Sequence, residues 1–232
     1  MRTISVISLF EQQQERLPPA LLAHSVLAYD ELPWAAPFSV QAQLKRLSDL
    51  LVAGLLLLLM SPFVGMAALF IWLEDRGPVF YKQRRSGWLG RPFILFKLRT
   101  MREQSKSGPA VWTQPGDKRI TFVGQWLRPL RLDELPQLLN VLNGDMSLIG
   151  PRPERPELER DLENYIPHYR KRHWMRPGLS GWAQVCAPYA SSIQGSDLKL
   201  SYDLYYLRHF STFLDFVILF RTVKTILKAS GR

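Results

Sequence analysis

The chain has 232 residues, room for one to two domains, and is 47% hydrophobic and 12% aromatic, enough to build a core and exclude wholesale disorder despite 17 prolines. Thirty Lys and Arg against twenty Asp and Glu leave a formal charge of +10, which favours an anionic partner. The single cysteine, Cys186, excludes an internal disulfide framework and a multi-cysteine metal site, and the four scattered histidines lack HExxH spacing, so any metal is expected on oxygen ligands.

Residues 1–40, with QQQ, Pro18-Pro19 and Pro33, read as a weakly ordered tail without a secretory signal. Between Asp49 and Glu74 lie 24 residues without a charge, LLVAGLLLLLMSPFVGMAALFIWL. As one helix they reach about 36 Å, enough for a hydrocarbon core of about 30 Å. A buried core helix is the competing reading, but such helices are usually shorter. Pro62 removes a backbone donor mid-run, so the helix is expected to bend at Ser61-Pro62. Lys45-Arg46 before the run and Arg76, Lys82, Arg84 and Arg85 after it put positive charge at both ends. Sequence physics leaves both a kinked span and a re-entrant hairpin open.

From Arg76 to Arg131 there are 13 Lys and Arg against only Glu103 and Asp117, so this segment carries the whole positive excess of the chain. Such a surface attracts phosphates, whether on nucleic acid, lipid headgroups or a nucleotide. Within it PVFYKQ and FILFKLRT, separated by SGWLGRP, read as a β-hairpin, and residues 102–118 as a long Gly/Pro-rich loop.

LDELPQLLNVLNG predicts a short amphipathic helix with Asp133 at its N-cap, Pro136 in the first turn, Leu135, Leu138, Leu139 and Leu142 on one face, and Asn143-Gly144 as the stop. A helix N-terminus is expected to keep Asp133 ionised and can hold a phosphate. Arg128 and Arg131 flank it on one side, Arg152 and Arg155 on the other. Acids in a first turn are commonly ordinary caps. Paired acids beside arginines and downstream of a membrane segment are also what Mg²⁺-dependent phosphoryl chemistry needs.

PELERDLENYIPHYRKRHWMRPG is acidic first and basic later, the polarity of a solvated helix ending at Arg176-Pro177-Gly178, where Arg176 is a candidate phosphate contact. STFLDFVILFRTVKTILK is interrupted by Asp215, Arg221 and Lys224, so it reads as an interfacial helix aided by the aromatic SYDLYY, with a core helix as the alternative.

On KRLSDLLVAGLLLLLMSPF, GPVFYKQ, GRPFILFKLRTM, DKRITFVGQWLRPLRLDELPQLLNVLNGDMSLIGPRPE, RHWMRPGLSGWAQV and YDLYYLRHFSTFLDFVILFRTV, the chain resembles the bacterial sugar transferase family, the monotopic phosphoglycosyl transferases, over residues 45–228. Beyond the tail over 1–40, the resemblance implies a mainly α fold with a small β-hairpin: a re-entrant membrane helix-break-helix over 41–75 made at Ser61-Pro62, and a cytoplasmic, membrane-associated catalytic domain with interfacial amphipathic helices over 76–232. It implies transfer of a sugar 1-phosphate from a nucleoside-diphosphate sugar, usually a UDP-sugar, to polyprenyl (undecaprenyl) phosphate at the cytoplasmic face of the bacterial inner membrane, releasing UMP. Asp133 would be the nucleophile, forming a phosphosugar-aspartyl intermediate, and Glu134 would assist with Mg²⁺ or the proton. Both carboxylates are the implied metal ligands, and Lys97, Arg128, Arg152 and Arg176 match positions around the phosphates.

The chain reads as a stand-alone catalytic unit whose tail the resemblance does not cover. After GWAQV it has Cys186-Ala187-Pro188-Tyr189 where many members continue Asn-Gly-Arg, so sugar specificity does not transfer; ERPE and APYAS resemble exopolysaccharide branches and point to a hexose, glucose or galactose. No nucleic-acid partner is expected; self-association is compatible with the reading. Its rivals are a basic nucleic-acid-binding protein, motivated by the charged segment with Trp88 and Trp112, and an idle lipid-binding scaffold.

Overall fold

The computed structural model describes residues 5–22, 27–36, 38–102, 117, 119–188 and 192–227. Most of the loop at 102–118, with Trp112, and Tyr189 lie outside the described residues.

The uncharged run forms one helix, α2 (Val40–Asp75), started by Ser39, whose hydroxyl accepts from Ala42 N at 3.4 Å. Helix assignment continues through Pro62, so the break expected at Ser61-Pro62 is not an interruption of the helix. The local chemistry explains how: Pro62 has no N–H for the Leu58 carbonyl, and Ser61 Oγ donates to that carbonyl at 2.9 Å instead. α2 is long and apolar enough to cross a membrane, and only 11% of its most apolar window is buried. Leu55, Leu58, Phe63 and Phe70 face outward with more than half their surface uncovered.

Both ends of α2 are fastened to the rest of the chain. Near its start Ala53 joins Leu95, Leu138, Val141 and Met146 in one core, Arg46 donates to the Val141 and Leu142 carbonyls at 2.6 and 2.9 Å, and buried Asp49 accepts from Leu148 N at 3.0 Å. Near its end Ala67 and Ile71 pack with Leu98 and Leu127 in a second core. There Glu74 accepts from Phe122 N and Val123 N at 2.9 and 3.1 Å, capping α3 (Phe122–Leu127), and Asp75 pairs with Arg99.

The expected hairpin forms from β1 (Phe80–Ser86) and β2 (Pro92–Leu98), antiparallel, with Tyr81 opposite Lys97 and Arg85 opposite Phe93. The free edge of β2 is covered by Asn140 of α4 (Gln137–Asn143): its amide accepts from Phe96 N at 3.1 Å and donates to the Ile94 carbonyl at 2.7 Å, as a neighbouring strand would. α4 stops as expected at Gly144, whose φ of 90° suits glycine. Leu138 is buried, but Leu139, assigned to the same face, is 43% exposed, and α4 starts later than expected, at Gln137.

A second, parallel strand pair, β3 (Ser147–Ile149) with β4 (Gly178–Ser180), was not among the expected elements. It draws Gly178 out of the long helix expected over 156–178. α5 (Pro156–Tyr165) ends early, His168 turns at φ 61°, and Tyr169–Trp174 form a 3₁₀ turn. Charges assigned there to solvent are partly internal: Glu159 and Arg172 are both buried.

α6 (Trp182–Cys186), α7 (Ile193–His209) and α8 (Thr212–Leu227) complete the chain. The largest core gathers Leu200, Leu204, Tyr206 and Leu207 of α7 with Leu17, Leu22, Leu27, Leu32 and Trp34 from the segment expected to be a weakly ordered tail. Within that segment α1 (Val6–Gln14) forms a helix, Leu17 N bonds to Ser201 O at 2.8 Å, and Trp34 Nε1 bonds to Leu207 O at 2.8 Å. The tail is thus a strap along α7, its scattered leucines too widely spaced to signal an element. α8 exposes Phe213, Phe216 and Phe220 and fully buries Ile218, which suits the interfacial reading; SYDLYY instead contributes Tyr206 to the core.

Candidate active site

Arg131 adopts a left-handed conformation (φ 53°) that turns the chain after α3, and Leu132–Glu134 follow as one 3₁₀ turn. Asp133 is therefore not the N-cap of α4, whose N-cap is Pro136. The turn points the Asp133 side chain inward, 5% exposed, and places Glu134 against arginines: Arg152 Nη2 lies 2.7 Å from Glu134 Oε1 and Arg131 Nη1 3.7 Å from Oε2.

Lys97 on β2 and Arg128, at the end of α3, act on Asp133 through their charge, and Lys97 acts on Glu134 as well. Burial pushes the Lys97 ammonium down while Asp133 and Glu134 push it up, and Arg152 and Arg128 oppose its charge. The four residues Lys97, Arg128, Asp133 and Glu134, with Arg152, thus form one charge cluster contributed by the hairpin, the end of α3, the turn and the 151–154 segment. Arg176 is not in it. Its Nε donates to the Gly144 carbonyl at 3.0 Å, its guanidinium lies 4.8 Å from the Trp88 ring centroid, and its charged neighbours are Arg46 and Asp49.

The two carboxylates differ in kind. Burial, and then the negative charge of Glu134, raise Asp133 to about 6 against the pull of Lys97, Arg128 and Arg152. Burial also opposes the charge on Glu134, but Arg152, through its charge and hydrogen bond, with Arg131 and Lys97, holds that group down at about 2. Asp133 is therefore the proton-accepting member and Glu134 the permanently charged one, a division set by surroundings. The helix N-terminus expected to hold Asp133 ionised does not cap it, since the N-cap of α4 is Pro136; burial and Glu134 raise it instead, though a value of about 6 still leaves it largely ionised at neutral pH.

Mg²⁺ commonly takes one or two carboxylates and completes its shell with water and substrate phosphate. Among the described residues no group of three or more His, Cys, Asp or Glu forms a ready metal cage, and Glu134 is engaged by Arg152 and Arg131. A separate cleft of about 440 Å³, lined by Ser86, Leu89, Glu159, His173 and Trp174 among others, contains neither carboxylate. Arg85, Arg172 and Asp203, which support the 151–154 segment, escaped sequence reasoning because a basic stretch and an aromatic helix offer no local signal for a buried ion pair.

The family model of the bacterial sugar transferases matches residues 40–229, and the chain belongs to that family. It is 45% identical over 195 residues to a UDP-N-acetylgalactosamine-undecaprenyl-phosphate N-acetylgalactosaminephosphotransferase of Aeromonas hydrophila, covering 84% of this chain and 46% of that protein. It is 41% identical over 186 residues to an undecaprenyl-phosphate glucose phosphotransferase of Komagataeibacter xylinus, covering 78% of this chain and 35% of that one. It is also 41% identical over 185 residues to a UDP-glucose:undecaprenyl-phosphate glucose-1-phosphate transferase of Caulobacter vibrioides, covering 79% and 69%. The chain spans less than half the length of the first two.

Proposed function

We propose that the protein transfers a sugar 1-phosphate, a hexose 1-phosphate or its N-acetylated counterpart, from a UDP-sugar to undecaprenyl phosphate, as the first membrane step of exopolysaccharide or other glycoconjugate assembly. The observation that carries this reading is the buried Asp133 beside an arginine-clamped Glu134, with Lys97 and Arg128 next to it, at the foot of a long apolar helix. The names of the relatives support it.

In this reading an ionised Asp133 oxygen attacks the sugar-bearing phosphorus, the bond from that phosphorus to the bridging oxygen breaks, and UMP leaves with the electron pair. A phosphate oxygen of the lipid then attacks the same phosphorus and Asp133 departs as a carboxylate. Lys97, Arg128 and Arg152 offset the charge that develops on the phosphoryl oxygens. Glu134 holds Arg152 in place. Mg²⁺ bound at the two carboxylates would supply further positive charge for the diphosphate.

The anchoring of α2 supports a re-entrant membrane arrangement. Its start is tied to Val141 and Leu148 and its end to Phe122 and Arg99, all on one protein body. Both ends meeting the same part of the chain supports an exposed apolar middle of α2 that enters and returns on one face; Pro62, which α2 carries without interruption, is where the helix would have to turn in the membrane. Basic residues at both ends favour the cytoplasmic side, and the outward phenylalanines of α8 suit the interface.

The test is release of UMP by the detergent-extracted protein with Mg²⁺, undecaprenyl phosphate and a panel of UDP-sugars, beside Asp133→Asn. Lipid-dependent UMP from one sugar, lost in the variant, is the expected result; no release from any sugar by folded protein, or full release by Asp133→Asn, would contradict the proposal.

A further inference from the structure

We propose that Arg172, held by Asp203, is a positioning residue that fixes the backbone of Arg152 and so aims its guanidinium at Glu134; the catalytic part of this claim rests on the function proposed above. Arg152 belongs to a segment, 151–154, without regular secondary structure, yet all four of its carbonyls accept a hydrogen bond. Pro151 O accepts from Gly178 N at 2.8 Å, Arg152 O from Arg172 Nη2 at 2.9 Å, Pro153 O from Arg85 Nη1 at 3.1 Å, and Glu154 O from Ser86 N at 3.0 Å. Pro151 and Pro153 fix two further torsions. An irregular segment with its carbonyls taken in this way has little freedom to relocate the side chain it carries.

Arg172 is the costly member of this clamp. Its residue is 5% exposed and that of Asp203 on α7 only 1%, with Arg172 Nη2 3.0 Å from Asp203 Oδ2 and Nη1 donating to Tyr169 Oη at 2.6 Å. A buried ion pair is poor value for stability alone, since an apolar replacement of similar volume is often as stable. A guanidinium does something an apolar side chain cannot: it binds Asp203, Tyr169 and the Arg152 carbonyl together, tying the site arginine to α7. Arg85 secures the next carbonyl from β1, with Nη2 on Gln83 Oε1 at 2.6 Å and Glu154 3.6 Å away.

The test is a double-mutant cycle on kcat/KM for UMP release, combining Arg172→Lys with Arg152→Ala, on full-length protein whose thermal melt shows it folded. With Arg152 present, Arg172→Lys is expected to lower kcat about 10- to 100-fold, the scale of an ångström-level misplacement, with little change in the KM for lipid. In Arg152→Ala it should cost less than about 2-fold, because the group it positions is gone. Equal losses in both backgrounds, or none in either, would overturn the proposal. If Arg172→Lys does not fold, Asp203→Asn, which removes the charge that holds the Arg172 guanidinium, enters the same cycle with the same expectations. Amide hydrogen exchange at Gly178 and Ser86, whose N–H groups donate to the Pro151 and Glu154 carbonyls, needs no turnover: faster exchange there in the variant supports the clamp even if the wild type releases no UMP and the functional reading falls, and unchanged exchange there overturns it.

Discussion

Arg152 Nη2 lies 2.7 Å from Glu134 Oε1, and the charge of the same guanidinium also reaches Asp133, the preceding residue. One arginine thus keeps Glu134 charged, while burial keeps Asp133 close to the point where it takes up a proton. The pair is asymmetric before any substrate arrives.

The pH dependence of kcat/KM follows from that asymmetry. Asp133 must be ionised to attack, and its value is raised to about 6, so kcat/KM should fall about tenfold per pH unit below that point and level off above it. An acid limb near the ordinary carboxylate range would show that the Asp133 environment is misread.

Stability should move in the opposite sense. A carboxyl raised on folding contributes stability that is fully present below its unfolded value and is lost as pH rises through the folded value, here about 6. Asp133→Asn removes the buried charge, so at pH 8 the variant should be more stable than the wild type, by on the order of 2–3 kcal/mol, while losing turnover. Thermal melts at pH 5 and pH 8 check this: the advantage should shrink at the lower pH.

Much of the scaffold was legible in the sequence, for identifiable reasons. An uncharged run marks α2, aromatic and β-branched runs around a Gly-rich turn mark the hairpin, and Gly144 marks the end of α4. The β3–β4 pair was not, because three-residue strands carry no period and Ser147 meets Gly178 only through the tertiary fold. The strap was hidden because Leu17, Leu22, Leu27 and Leu32 fit a surface made by α7 rather than a pattern of their own. At the site, the acid pair and its arginines could be named from the motif, but the left-handed turn at Arg131 and the burial that separates the two carboxylates could not.

Glu134→Gln should reveal the coupling between the carboxylates. Removing the charge next to Asp133 lowers the Asp133 value, so the acid limb of the residual activity should shift to lower pH, and kcat/KM should fall about 100-fold as Arg152 loses its anchor. Initial rates across pH 4.5–8 measure both effects together; an unmoved limb would contradict the coupling.

Arg176→Ala should act mainly on the scaffold. The side chain donates to the carbonyl of Gly144, at the end of the helix that follows the acid pair, and covers Trp88. Losing that bond should cost about 1–2 kcal/mol and lower the melting temperature by roughly 2–8 °C. An unchanged melt with a large rise in the KM for the UDP-sugar would instead make Arg176 a substrate contact.

Membrane topology can be read with single cysteines at Gln43 and Pro78, exposed positions near the two ends of α2, in a Cys186→Ser background. Both should resist an impermeant thiol reagent in intact cells and react in inverted vesicles. Labelling from opposite sides would mean that α2 spans.

The most direct test of the central claim is intact-mass analysis of the protein incubated with Mg²⁺ and its UDP-sugar without lipid. The account predicts an adduct of one sugar phosphate, mapped to Asp133, formed with an equal amount of UMP and discharged when undecaprenyl phosphate is added. UMP that appears only with lipid and never with an adduct, or an adduct that persists in Asp133→Asn, would contradict it.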